Sequence, residues 1–190
     1  DEGFLVELGR LLTERALPSN EVRQLLAHLE QYRRAVRPLD TVLKEGLSIA
    51  YRVATELKHE EWAGTVRLLW HREPHRDPAE SVREVWQEWE LLIKASALYP
   101  DQADTLLQDL PSFRDEIGYL FEPPPSRIIR RRATRVRALE ELRLQTALEL
   151  WRMEHGAYPQ RLSQLVPRLL PSLPSDPMSG ASFFYVRRED

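Results

Sequence analysis

Apolar residues recur along much of the chain at the spacing of an amphipathic helix. Between Phe4 and Leu12 they fall at i, i+1, i+4, i+7 and i+8, which is one face of a first helix. Pro18 interrupts this pattern. A second apolar stripe then follows at Val22, Leu25, Leu26 and Leu29. A third stripe begins after Pro38 and runs toward Leu57, so the pattern predicts three successive helices with short antiparallel connections.

The middle of the chain has both clear and unclear helical patterns. Residues 58–78 lack a clean period and end in HREPHRDP, whose two prolines favour a loop. Strong helical spacing returns at 82–98, and a shorter helix is predicted around 106–110. Three successive prolines at 123–125 predict an extended spacer, and Ser126 is a candidate N-cap for a long helix after it.

The most specific local signals lie between residues 147 and 185. From these signals we predict structural roles for seven residues: Trp151, Gly156, Tyr158, Pro159, Asp176, Pro177 and Gly180. A glycine just after a helix supplies a left-handed backbone, and Asp-Pro-x-x-Gly is typical of a turn. We expect Tyr158-Pro159 to begin a second short helix whose Leu162 and Leu165 pack back onto the Trp151 face.

These patterns predict a mainly α fold. It comprises a multi-helix body over 1–121, a Pro-rich spacer at 122–126, and a third part over 127–190 that packs with the body as one unit. The third part contains a long Arg-rich helix, from about residue 126 to 155, and a small C-terminal tail. We expect the tail to end in a short β-strand or hairpin at 182–187, with alternate aromatic side chains on one side.

Composition narrows the possible functions. The chain has 190 residues and no cysteine, which excludes disulfides and cysteine-ligated metal sites. Its net charge is −3, so no overall positive field attracts nucleic acid or an anionic membrane, and we expect no nucleic-acid partner. The sequence contains no run of about 18 apolar residues, which is the length that would predict a transmembrane helix.

One group of side chains has the chemistry of a metal site. His71, His75 and Asp77 form an H-x3-H-x-D pattern, and imidazole with carboxylate suits zinc or a similar ion. The pattern falls in the proline-broken loop, where no helix fixes the spacing of the two imidazoles. The alternative is a solvated polar loop, and we expect no metal and no other cofactor.

Catalytic motifs are missing from the sequence. It contains no G-x-S-x-G, no G-x-G-x-x-G and no P-loop. Paired carboxylates for acid–base catalysis could be drawn from Glu140, Glu141, Glu149 and Glu154. We interpret them instead as surface ion pairs with Arg137, Arg143 and Arg152.

The long helix begins with an unusual run of like charges. Six arginines and no acidic residue lie between Arg127 and Arg137. Arg130, Arg131 and Arg135 share one side and could bind phosphates. No aromatic residue interleaves with them for base stacking. A solvated or ion-paired helix is the alternative, as is docking to an acidic protein or lipid surface.

The tail also carries a motif that resembles a known family. Its elements are Trp151, His155-Gly156-Ala157-Tyr158-Pro159, Leu173-Pro174, Asp176-Pro177 and Gly180. This motif resembles the tail of type II secretion pseudopilins. It also resembles that of a group of uncharacterised bacterial proteins, frequent in planctomycetes, with an N-terminal membrane anchor and a helical body. The resemblance implies an extracytoplasmic location in the cell envelope, with an anchor upstream of Asp1.

The chain also departs from an ordinary pseudopilin. A multi-helix body and the proline spacer precede the long helix, which in pseudopilins continues directly from the membrane segment. No acidic cluster matches the pseudopilin calcium loop, so that metal site is not transferred.

The leading hypothesis is therefore a non-catalytic interaction or assembly module of the cell envelope, with an unknown protein partner and membrane contact only through the implied anchor. The first alternative is a metal-dependent hydrolase that uses the loop of His71, His75 and Asp77. The second is a binder of an anionic surface through the arginine helix. The oligomeric state is left open.

Overall fold

The structure is a computed structural model that describes residues 2–14, 17–56, 87, 89–108 and 125–187. Its α-helices are α1 (Glu2–Glu14), α2 (Ser19–Ala35), α3 (Leu39–Glu56), α4 (Pro100–Leu107) and α5 (Pro125–His155). Residues 89–96 are also helical, and a 3-10 helix spans Leu162–Leu165. The predicted mainly α fold with a long Arg-rich helix is confirmed. No helix in the described part of the chain is both long and apolar enough to cross a membrane.

The chain divides into two compact units. Unit 1 comprises residues 1–36 and 131–190, and unit 2 comprises residues 37–130. Helix α5 therefore begins in unit 2 and continues through unit 1. The predicted division into 1–121, 122–126 and 127–190 follows the prolines, and most of the spacer lies outside the described residues. That division stays a prediction.

The core of unit 1 is built on the apolar face of α5. Leu139, Leu142, Ala147 and Leu150 of this helix are buried together with the α2 stripe. The α2 stripe is the one that its spacing predicts, with Val22, Leu26 and Leu29 buried. Three leucines of the tail complete the cluster: Leu165, Leu169 and Leu170. The tail thus packs against α5, as predicted.

Unit 2 has a smaller core of its own. Its buried residues are Leu92, Ala95, Ala103 and Ile129. Trp89 packs against this cluster, whereas Trp62, Trp70 and Trp86 lie outside the described residues.

The end of α5 follows the prediction closely. The helix ends at His155, and Gly156 has a φ of 77°, the left-handed conformation expected of a glycine in this position. The Gly156 N–H donates to the Arg152 carbonyl at 2.8 Å. The start of α5 differs from the prediction, because the helix begins at Pro125 and Ser126 lies within its first turn rather than at the N-cap. Proline suits a first turn, where its missing N–H has no helical partner.

The predicted strand at 182–187 is absent from the described tail. The only β-type pairing in the described residues is an antiparallel bridge between Ser175 and Ser182. The alternation of burial is nevertheless as predicted, because Phe183 packs on the core and the Tyr185 hydroxyl donates to the Pro159 carbonyl at 2.7 Å. Side chains rather than a backbone ladder hold this segment, and that is why no strand forms.

Candidate functional site

The Asp-Pro-x-x-Gly turn is built from the residues that the sequence indicates. The Asp176 carboxylate accepts the Met178 N–H at 2.9 Å and the Ser179 hydroxyl at 3.3 Å. The Gly180 N–H donates to the Asp176 carbonyl at 2.6 Å, with a φ of 75° at Gly180. Pro177 lies between these groups and fixes φ within the turn. The motif residues therefore have structural roles in the tail.

A second set of contacts joins the tail to the last turns of α5. Arg152 donates to the Glu149 carboxylate from Nε at 2.9 Å and Nη2 at 2.8 Å, and the Tyr158 hydroxyl donates to the same carboxylate. Partial burial and this hydrogen bond raise the pKa of Tyr158. The Trp151 ring stacks on His155 at 4.0 Å. Trp151 is only partly buried, so it covers the core rather than filling it.

Two apolar side chains near the end of the tail are the most exposed of this segment. Phe184 is 93% exposed and Val186 is 60% exposed, whereas their neighbours Phe183 and Tyr185 are held against unit 1. We call Phe184 and Val186 the tail edge. Contiguous exposed apolar surface is a feature of interaction sites, and these two alternate side chains of one anchored segment provide a small surface of that kind.

Buried charges connect α2 with α5. Arg143 donates to Glu30 from Nε at 3.0 Å and also contacts Glu140, which in turn accepts a hydrogen bond from Arg33. Only 4% of Glu140 and 5% of Arg143 are exposed. We call Glu30, Arg143, Glu140 and Arg33 the ionic ladder. Arginine suits this environment because its guanidinium keeps its charge and forms forked hydrogen bonds.

The ionic ladder corrects one sequence-based interpretation. Ion pairs were expected along α5, and they form between Arg137 and Glu141, Arg143 and Glu140, and Arg152 and Glu149. They were expected at the surface, but the structure buries Glu140, Arg143 and Glu149. The helical periodicity shows which side chains share a face. It does not show that α2 or the tail covers that face.

The three arginines predicted to bind anions differ in their surroundings. In unit 2, Arg130 donates to Asp104 at 2.5 Å and to Asp101 at 3.1 Å, and these hydrogen bonds raise its pKa. In unit 1, Arg131 and Arg135 are exposed. Carboxylates already hold Arg130, and the interpretation of the three arginines as an anion-binding site stays a prediction.

Arg132 has an environment that the sequence analysis did not single out. It is partly buried on α5, and burial together with the nearby charge of Arg33 lowers its pKa. Among the described residues no carboxylate pairs with it. Its position could have been found from the helix period, because Arg132 lies eight residues before Glu140 and shares its side of α5.

No other cluster in the described residues has the chemistry of a catalytic or metal site. Unit 2 has an open hollow of about 470 Å³, lined by Asp104, Leu107, Gln108, Arg127 and Arg130. In this hollow the guanidinium of Arg130 and the carboxylate of Asp104 already neutralise each other as an ion pair. No group of three potential metal ligands occurs in the described part of the chain.

The loop of His71, His75 and Asp77 lies outside the described residues, so its interpretation as a metal site stays a prediction. Comparison of this chain with protein-family models, with curated proteins and with solved structures gave no match.

Proposed function

We propose that the chain is a non-catalytic interaction or assembly module of a bacterial cell envelope, and that its tail edge contacts a protein partner. The observation that carries this proposal is the 93% exposure of Phe184 beside two residues that are tied to unit 1. An apolar side chain on a segment that is already ordered loses little conformational entropy when it binds.

The anchoring of the tail supports the same function. Leu165 and Leu170 are fully buried in the core of unit 1, and the Tyr185 hydroxyl donates to the Pro159 carbonyl. The segment therefore presents its outward side chains from a fixed base. The resemblance of the tail to pseudopilins supports a location in the envelope.

The candidate acid–base carboxylates have another use in the structure. Glu140 bridges Arg33 and Arg143, and Glu149 holds Arg152 and the Tyr158 hydroxyl. In each carboxylate both oxygens already accept hydrogen bonds from these partners, so neither oxygen is free to exchange a proton with a substrate. Their contacts therefore favour the interaction module over an acid–base enzyme that uses these residues.

The test uses the full-length protein in the bacterium that produces it. Cells are cross-linked, the envelope is separated, and the size of the protein's complexes is measured on a gradient. We expect wild-type protein in the envelope fraction and in a complex larger than the single chain. The double variant Phe184→Ser, Val186→Ser should lose that complex while keeping its circular dichroism spectrum.

The matched control is Tyr32→Ser, which removes an aromatic ring of α2 that is 60% exposed. It should leave the complex unchanged. Retention of the complex by the double variant, or recovery of the protein as single chains outside the envelope, would contradict the proposal.

Elemental analysis of the purified chain distinguishes the metal-dependent hydrolase from the interaction module. A stoichiometric ion that is lost in His71→Ala, His75→Ala protein would favour the hydrolase over the interaction module.

A further inference from the structure

The end of the tail has the pattern of a strand without a neighbour. After the bridge at Ser182 it contains no turn or bend in the described residues. Its side chains alternate, because Phe183 and Tyr185 are partly buried whereas Phe184 and Val186 are exposed. A period of two is that of an extended chain. What this segment lacks is a second backbone with which to form a ladder.

The bridge shows which way the backbone groups of the segment point. Ser175 and Ser182 form the antiparallel bridge, and beside it the Ala181 carbonyl accepts the Asp176 N–H at 2.8 Å. The Ala181 carbonyl therefore points to the edge on which the bridge lies. Backbone groups of successive residues in an extended chain point to opposite edges. The N–H and C=O groups of residues 182, 184 and 186 thus point to the edge away from the bridge.

The groups at this second edge are unused within the described part of the chain. The backbone N–H and C=O of residues 182, 184 and 186 make no hydrogen bond to any described residue. All three residues are exposed. Unpaired backbone donors and acceptors along an extended segment are what a further strand binds when it adds to an edge.

We propose that the tail edge binds the tail edge of a second copy of this chain, as an antiparallel pair of strands with Phe184 opposite Phe184 of the second copy. The inference rests on the proposed function and names its protein partner. In this register residue 182 lies opposite residue 186 of the second copy. The three residues with free backbone groups then face each other in reverse order, and each opposed pair exchanges two hydrogen bonds.

The side chains agree with this register. The two Phe184 rings meet across the two-fold axis with Val186 as a diagonal neighbour, and aromatic and β-branched contacts between strands are favourable. Arg187 lies opposite Ala181 of the second copy, so the register does not place like charges directly opposite each other. The edge is therefore self-complementary, as a two-fold symmetric contact requires.

Cysteine cross-linking of the purified whole chain tests the register. The sequence has no cysteine, so each introduced thiol is the only one present. Phe184→Cys should form disulfide-linked dimers under mild oxidation, because Cα atoms of a hydrogen-bonded antiparallel pair are about 5.5 Å apart, within disulfide reach.

The matched control is Val186→Cys, whose thiol lies opposite residue 182 of the second copy. Its own counterpart is four residues further along the strand, about 13 Å away, which is beyond disulfide reach. We expect Phe184→Cys to cross-link at least about tenfold faster than this control. The double variant Ser182→Cys, Val186→Cys should cross-link again, because its two thiols are opposed in this register.

Proline variants test the free edge without cysteines. Val186→Pro removes an N–H at the free edge, and the matched control Arg187→Pro removes an N–H at the opposite edge. A contact of two short strands is small, so wild type should associate weakly, on the order of 100 µM, in sedimentation equilibrium. Val186→Pro should weaken association by about tenfold or more, because by symmetry it removes two hydrogen bonds, and Arg187→Pro by less than about threefold. Circular dichroism should show that both variants keep the wild-type fold.

A chain that sediments as a single copy up to about 500 µM would overturn the inference, because the pairing would then be weaker than a transient contact. Equal cross-linking rates in Phe184→Cys and Val186→Cys, or equal losses in the two proline variants, would also overturn it. These outcomes leave the proposed function standing if Phe184→Ser, Val186→Ser still loses the envelope complex, since the partner is then a different protein. Retention of that complex would contradict the proposed function instead.

Discussion

The buried guanidinium of Arg143 leads to the sharpest prediction about stability. Arg143 contacts Glu30 and Glu140, and all three side chains are largely out of water. Arg143→Met keeps much of the apolar volume but removes the cation from between the two carboxylates. Glu140 keeps Arg33, whereas the described contacts leave Glu30 with no other cation.

The magnitude follows from the burial of the group that is left behind. Removal of one member of a buried ion pair costs about 3–5 kcal/mol, because an uncompensated charge stays in a poorly solvated place. We expect the lower part of this range, since Arg33 still compensates Glu140. The control is Arg137→Met on the same helix. Arg137 and its nearer partner Glu141 are each almost half exposed, and its contact with Asp176 is long at 3.9 Å, so this change should cost at most about 1 kcal/mol.

A triple variant tests the cause. Glu30→Leu, Glu140→Leu, Arg143→Met replaces the ion pairs with apolar side chains of similar size, and it should unfold within about 1 kcal/mol of wild type. The assay is urea unfolding followed by circular dichroism. Wild type, Arg143→Met, Arg137→Met and the triple variant are compared under the same conditions. The reasoning is refuted if Arg143→Met costs no more than Arg137→Met, or if the triple variant is less stable than the single one.

Two further predictions concern the tail. Gly156→Val should lower the free energy of unfolding by about 1–2 kcal/mol, because a β-branched residue is strained at positive φ. Gly156→Asn should cost less than Gly156→Val, because asparagine adopts the left-handed conformation more readily and no atom lies within 4 Å of an added Cβ. A larger cost for asparagine would show a clash instead. The raised pKa of Tyr158 means that its contribution to stability is complete below pH 10 and is lost as the pH rises through the folded-state value. In tyrosinate absorbance titrations, Tyr158→Phe should remove one of the ionisations that occur above the ordinary tyrosine range, and an unchanged curve would contradict this.

Local signals in the sequence were sufficient to predict the helices and the end of α5. The stripe at Val22, Leu26 and Leu29 defines one face of α2, and Gly156 has the one backbone conformation that its position requires. Such features depend on residues a few positions apart. They can be read without knowledge of what packs on them.

Features that depend on distant residues could not be read in this way. Burial of Arg143 requires Glu30 of α2, 113 positions earlier, and no local pattern indicates that pairing. The tail segment failed to form a strand for the same kind of reason. Its alternating pattern was correct, but a strand also needs a neighbouring backbone, and side chains such as Tyr185 provide its anchor instead.

The two-part composition of unit 1 has a consequence for the order of events during protein synthesis. Residues 37–130 are made between its two segments, so α2 leaves the ribosome long before α5 exists. At about 5–20 residues per second, a separation of 113 positions corresponds to roughly 6–23 s. During that interval Leu26 and Leu29 have no partner on α5. Until α5 is made, the leucine stripe of α2 can be covered only by α1, whose Leu12 belongs to the same core, or by a chaperone. Unit 1 can close only after synthesis has passed Leu170.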